Sequence, residues 1–231
     1  MGTLRRTLEP VLSDSERSEE ESNGLTLVCL HGFLGLPSDW DFLRDDFDVI
    51  APVLRDFTAR RSPPAAHQIL VGYSMGGRLA LQALLDGARY RRAILISTRV
   101  SPADPDRRER DEAWARRFES ENWETLMRDW NAQPIFGGHA MPRAEKDFDR
   151  AELARQLREW SPAVLPPIDL RKIDIPTLWI AGSRDETYVA EAKHGAELSG
   201  GELLMVDGAA HRVPWEASDT LRRHVDRDQR I

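Results

Sequence analysis

Val71-Gly72-Tyr73-Ser74-Met75-Gly76-Gly77-Arg78 lies between an apolar run and an amphipathic one. Residues 68–71 read as the end of a buried strand, and residues 78–85 carry apolar side chains at helical spacing. Between them the chain must reverse sharply. Gly72 and Gly76 remove the Cβ atoms that would collide in so tight a strand-turn-helix. Such a turn lifts the Ser74 hydroxyl off the sheet edge and sets it at the positive end of a helix. A glycine-rich turn in any α/β protein looks the same locally, so the reading depends on partners elsewhere.

A serine hydroxyl is a weak nucleophile and base at neutral pH and needs a histidine beside it, oriented by a carboxylate. Residues 175–185 read as an apolar strand opening into a glycine turn, with Asp185 just past its carboxyl end. Residues 202–207 read as a last strand, followed by Gly208-Ala209-Ala210-His211. Ser74, Asp185 and His211 each follow an expected strand, in the chain order of α/β hydrolases. Upstream, the strand-like run 25–30 leads into His31-Gly32-Phe33-Leu34-Gly35. The Phe33 and Met75 N–H groups are the expected oxyanion-hole donors, and His31 is read as fixing that loop by hydrogen bonding. Together these signals predict an α/β-hydrolase fold: a mostly parallel central sheet flanked by helices, with a helical cap.

Leu30-His31-Gly32-Phe33-Leu34-Gly35 with Asp39-Trp40, followed by the elbow through Ala80, resembles the 2-succinyl-6-hydroxy-2,4-cyclohexadiene-1-carboxylate synthase family of menaquinone biosynthesis. Residues 107–118 and Asp129-Trp130-Asn131-Ala132-Gln133-Pro134-Ile135-Phe136 are similar to that family's cap signatures. The resemblance runs, with gaps, from about residue 25 to residue 211. It implies a cofactor-free lyase in which the triad removes a proton and pyruvate leaves. The alternative is a carboxylesterase or thioesterase using the same triad through an acyl-enzyme.

The resemblance also implies a small anionic substrate with three carboxylates, and with it arginines at the site. Arg78, one turn past Ser74, matches a carboxylate-binding arginine; otherwise it is a polar residue on a surface-facing turn. Arg107 matches a second in the cap; otherwise it belongs to a solvated, mixed-charge helix face. Tyr73, Trp130 and Phe136 are candidates for lining the pocket, against a role for the last two in cap packing. A third cap arginine is expected, and Arg143 and Arg150 compete for it. Relatives have a glycine loop and a full crossover helix where residues 55–67 are short and contain Pro63-Pro64. The usual Pro-Gly step at the cap entry is also missing, and Ala210 stands where a glycine usually precedes the histidine.

Composition predicts one domain over residues 1–231, with a cap at about 99–165 and an acidic, polar leader within 1–24. Whether residues 1–12 form an edge strand or a short helix is left open. The net charge of −7 argues against nucleic acid as a partner. No apolar stretch approaches the roughly 20 residues that span a membrane. The lack of a signal peptide points to the cytoplasm, as a monomer or small homo-oligomer. The single cysteine, Cys29, is expected in the core, and the scattered histidines suggest no metal site.

Overall fold

In the parallel strands at the centre of this molecule, side chains alternate between two buried faces, so the runs read as continuously apolar. Leu27, Cys29, Ile69, Val71, Ile94, Ile96, Leu178 and Ile180 face one layer. Val28, Leu30, Leu70, Ala93, Leu95, Trp179 and Ala181 face the other. The computed structural model describes residues 25–59 and 65–226, so the expected leader and the middle of the short crossover lie outside the described residues.

Six strands, β1 (Thr26–Leu30), β2 (Asp48–Ile50), β3 (Ala65–Tyr73), β4 (Tyr90–Ile96), β5 (Thr177–Gly182) and β6 (Glu202–Val206), form one sheet in the order β2-β1-β3-β4-β5-β6. All five neighbouring pairs are parallel. The loops that follow β1, β3, β4, β5 and β6 therefore open at one edge, where open α/β sheets carry their sites. Helices α1 (Leu54–Ala59) and α2 (Met75–Leu85) connect the first half of the sheet. A cap of α3 (Arg107–Ser120), α4 (Trp123–Asn131) and α5 (Arg150–Glu159) is inserted between β4 and β5. Helices α6 (Glu186–Ser199), α7 (Val213–Glu216) and α8 (Ser218–Asp226) complete the chain.

Leu79 and Leu84 of α2 and Ala192 and Ala196 of α6 cover the Trp179 face. Trp40 and Leu43, from a 3-10 turn at Pro37–Leu43, and Leu221 and Val225 of α8 cover the opposite face. Cys29 is fully buried there, and burial pushes its thiol pKa up, which suits a core residue. The cap has its own core around Phe118, Leu126, Leu153 and Leu157. The α8 helix begins at Ser218, and the Ala217 carbonyl accepts from the Thr220 and Leu221 N–H groups, so Ala217 takes the cap position. Among the described residues no helix is long and apolar enough to cross a membrane.

The close approach between β1 and α2 has a direct consequence. A Cβ on Gly76 would lie 2.3 Å from the His31 carbonyl oxygen and 2.4 Å from that of Leu30. Both are backbone atoms of a central strand end and cannot step aside. Gly76→Ala is expected to destabilise the fold by on the order of 3 kcal/mol, read as a drop in the urea midpoint at unchanged m-value.

Candidate active site

Ser74 follows β3 directly and precedes α2, with φ 53° and ψ −113°. A non-glycine residue in that region is strained by about 1–3 kcal/mol. The strain holds because the turn is closed on all sides. A Cβ at Gly72 would fall 2.5 Å from the Gly77 Cα, so only glycine lets the strand end pass under the helix start. The Ser74 N–H continues the sheet by donating to the Ile96 carbonyl at 2.9 Å, and the Ser74 carbonyl accepts from the Arg78 N–H at 3.2 Å.

His211, five residues past the end of β6, lies with Nε2 3.0 Å from Ser74 Oγ. Its Nδ1 is 2.7 Å from Asp185 Oδ2. An ionised carboxylate only accepts, so Nδ1 carries the proton and donates, and Nε2 is left to accept from the serine hydroxyl. Asp185 is buried at the start of α6, where its other oxygen accepts from the Tyr188 N–H at 3.3 Å. The Tyr188 ring meets the imidazole edge-on, with centroids 4.4 Å apart. Burial pushes the Tyr188 phenol up to about 12, so it stays neutral beside the histidine. The Ser97 hydroxyl donates to the His211 carbonyl at 3.0 Å, tying the last loop to the end of β4.

Gly32 and Gly35 close a tight turn, with a Gly35 N–H to Gly32 carbonyl bond of 3.0 Å and Leu34 at φ 57°. His31 Nδ1 donates to the Gly32 carbonyl at 2.8 Å. The Phe33 side chain packs upward into the cap, 5.0 Å from the Trp130 centroid and 5.1 Å from that of Phe118. Among the described residues, neither the Phe33 nor the Met75 N–H is given to a protein carbonyl. Both residues line the cavity that contains Ser74 and His211. Two uncommitted donors beside a serine–histidine pair are suited to a developing negative oxygen.

That cavity, about 200 Å³ in volume, is walled by the cap and carries five arginines: Arg78, Arg99, Arg107, Arg110 and Arg212. Their charges differ in how they are balanced. Arg107 donates to Asp111 at 2.8 Å, and Arg110 to Asp104 at 2.6 Å. Arg99 lies 3.8 Å from Glu191, whose other oxygen holds the Val100 and Ser101 N–H groups. Arg78 is only 4% exposed and reaches just two carbonyls, of Arg99 and Pro166, at 3.4 and 3.3 Å. Its Nε is buried without a partner. Burial, reinforced by the neighbouring Arg99 cation, lowers its pKa to about 10, so it is still charged at neutral pH.

The structure thus brings together Ser74, Asp185, His211, Phe33 and Met75. Tyr73, Arg78, Arg107, Trp130 and Phe136 line the same cavity. Tyr73 is almost wholly buried, tilted against the His211 ring and edge-on to that of Trp215, so it supports the imidazole more than it reaches the space above it. Neither contender for the third cap arginine lines the cavity. Arg143 pairs with Asp39 at 2.7 Å, and Arg150 bonds the Phe118 carbonyl and Glu145. Arg99, Tyr188 and Arg212 were not singled out from sequence. Arg99 sits just past a strand end, Tyr188 lies on the first turn of the helix that Asp185 caps, and Arg212 follows His211 directly. Those positions were the available signals. Among the described residues no group of His, Cys, Asp and Glu side chains is arranged to hold a metal ion.

The chain matches the alpha/beta hydrolase family over residues 19–223. A putative 2-succinyl-6-hydroxy-2,4-cyclohexadiene-1-carboxylate synthase of Haemophilus influenzae is 24% identical over 241 residues, covering 87% of this chain and 96% of the relative. The synthase of that name from Klebsiella pneumoniae is 27% identical over 222 residues, covering 81% and 86%. Among solved structures, MenH from S. aureus is similar with a TM-score of 0.75 at 23% identity, over 90% of this chain and 95% of that one. An esterase from Exiguobacterium antarcticum gives 0.65 at 16% identity, over 90% and 92%. These two structural likenesses concern the fold.

Two outcomes are expected from this geometry. Ser74→Gly is expected to be more stable than Ser74→Ala by about 1 kcal/mol, because glycine relieves the backbone strain that alanine keeps; paired urea titrations read the difference. His31 has its pKa lowered, chiefly by burial, so the folded protein resists its protonation while the unfolded chain accepts it near pH 6.5. The unfolded state then binds more protons, and stability falls as pH drops below about 6.5. Urea midpoints against pH should show that limb in the parent and a flatter one in His31→Asn, which keeps a donor for the Gly32 carbonyl.

Proposed function

The chain belongs to the alpha/beta hydrolase family, and on that premise we propose that it is a cofactor-free lyase that eliminates pyruvate, the 2-succinyl-6-hydroxy-2,4-cyclohexadiene-1-carboxylate synthase reaction of menaquinone biosynthesis. The observation that carries the reading is Arg78: a buried guanidinium with no carboxylate partner among the described residues, in the cavity above Ser74. Uncompensated burial of a cation is costly by several kcal/mol and is offset once an anion docks against it. A substrate with several carboxylates supplies that anion; a simple neutral ester does not. The names of the curated relatives agree with this choice.

In this reading His211 Nε2 takes the Ser74 proton, held in the correct tautomer by Asp185. The serine oxygen then removes the ring proton next to the succinyl carbonyl. The C–H electron pair moves onto that carbonyl as an enolate, met by the Phe33 and Met75 N–H groups. Collapse of the enolate shifts the ring double bond and breaks the C–O bond to the enolpyruvyl group. The pair leaves with the enolpyruvyl group as the enolate of pyruvate, whose methylene carbon takes up the proton held on His211 to give pyruvate, while the ring proton restores the Ser74 hydroxyl. No acyl-enzyme forms and no water is consumed. Arg78 holds one carboxylate through its planar fork. Arg107, already paired with Asp111, stands at the cap side of the cavity as a balanced charge, while Trp130 and Phe136 pack against the ring.

A second reading is kept because the Ser74–His211–Asp185 hydrogen-bond chain equally suits acyl transfer, and esterases share the fold. Incubation with the succinylated enolpyruvyl cyclohexene substrate, with pyruvate release followed beside a short-chain ester assay, separates the two. Pyruvate release without ester cleavage is expected; ester cleavage without pyruvate reverses the choice. Ser74→Ala should abolish turnover with little change in thermal midpoint. Arg78→Ala should lower kcat/KM by an amount equivalent to about 2–5 kcal/mol, and a loss below about 0.5 kcal/mol would make Arg78 structural.

A further inference from the structure

Arg212 is 1% exposed, yet its guanidinium has no carboxylate within ion-pair distance among the described residues. The nearest candidate on its own segment is Glu216, and that carboxylate is occupied elsewhere. Its two oxygens accept from the backbone N–H groups of Ala210 and Arg212, at 2.9 and 3.0 Å, which locks the loop carrying His211. The Arg212 guanidinium lies face-on over the Phe136 ring, 3.7 Å from the centroid. Nη1 donates to the His139 carbonyl. Stacking of this kind fixes the plane of the fork while leaving its edge free to donate. Of the five N–H bonds of a guanidinium, one is accounted for by that carbonyl. The side chain lines the same cavity as Ser74 and Arg78.

Of the five cavity arginines, Arg99, Arg107 and Arg110 have acidic neighbours at 4.0 Å or less, whereas Arg78 and Arg212 have none. The two unbalanced cations are anchored in different walls. Arg78 is held by the entry and return of the cap, at Arg99 and Pro166, and Arg212 by the middle of the cap, at Phe136 and His139. Burial lowers the pKa of Arg212 as it does that of Arg78, so both sites are destabilised as cations until an anion arrives.

We infer that Arg212, clamped flat on Phe136, is a second carboxylate-binding group of the cavity, taking an anionic arm of the substrate separate from the one held by Arg78. The inference deepens the reading above and rests on it for the identity of the substrate, but not for the chemistry of the subsite. The ligand it requires carries at least two carboxylates.

The test separates anion binding from support of the cap. Ser74 is labelled with an uncharged phosphonate ester, and protection by succinate is titrated, with succinamide as the uncharged control. The parent should be protected by succinate and not by succinamide. For Arg212→Met, which keeps the stem over Phe136, protection is scaled to that variant's own labelling rate in the absence of succinate. Its half-protecting succinate concentration should rise at least about 30-fold. Arg212→Lys, which restores charge without the planar fork, should lie between the two. Unchanged protection in Arg212→Met, or a parent protected equally by both compounds or by neither, overturns the inference. If Arg212→Met fails to fold, Arg212→Lys decides on the same scale: weakened protection relative to its own unprotected rate supports the subsite, and parental protection overturns it. Pyruvate assays are independent of these arms, so Arg212-dependent protection without pyruvate release would refute the proposed reaction and leave the subsite standing.

Discussion

Everything at the site depends on how closely the start of α2 approaches the ends of β1 and β3. That packing admits no Cβ at Gly72 or Gly76 and holds Ser74 at a positive φ. A helix start pressed this near to the sheet presents its first N–H groups at the sheet's edge, with the dipole of α2 behind them. The hydroxyl, the Met75 N–H and the Arg78 side chain are thus set by a single turn. Once that turn is in place, the parallel register determines what comes near it. The Gly72–Leu95 and Tyr73–Ile96 pairings bring the end of β4 alongside, and Gly182–Val206 does the same for the strands carrying Asp185 and leading to His211.

The cap does more than cover this edge. Phe33 at once lines the cavity and belongs to the aromatic cluster with Phe118 and Trp130. Cap packing therefore helps to set the angle of the loop beside the serine. A buried ion pair reinforces the link: Arg143 of the cap donates to both oxygens of Asp39, which also accepts from the Leu36 N–H just past that loop. Burying two charges is rarely a net gain in stability, but removing one partner leaves the other stranded, so such a pair selects one arrangement of cap on core.

The electrostatics of the cavity oppose those of the whole chain. The net charge is −7, yet the cavity is lined by five arginines and one carboxylate, Asp111. Much of the remaining charge on the cap is neutralised locally, as in Arg158 between Glu112 and Glu119 or Arg117 between Glu121 and Asp129. Those exposed pairs add little stability individually. Their effect is to leave the unbalanced positive charge concentrated at Arg78 and Arg212, where surrounding protein makes it most effective.

The strands, the elbow, the order of serine, acid and histidine, and the loop after β1 were all legible from residue order. Each depends on local rules: period-two burial, glycine where a Cβ has no room, and a polar residue just past a strand end. The same rules placed Cys29 in the core and Ala210–His211 at the end of the last loop. Residue order could not distinguish Arg107 from Arg78, or choose between Arg143 and Arg150, because a guanidinium reads alike whether an acid lies beside it or not. Only the fold brings Asp111 to Arg107 and Asp39, 104 residues away in the chain, to Arg143. Only the fold leaves Arg78 and Arg212 without such a partner. Backbone geometry is dictated by neighbours along the chain, so sequence determined the frame that holds Ser74, Asp185 and His211. The balance of charge is dictated by neighbours across space, so tertiary structure decided which arginines remain to meet a ligand.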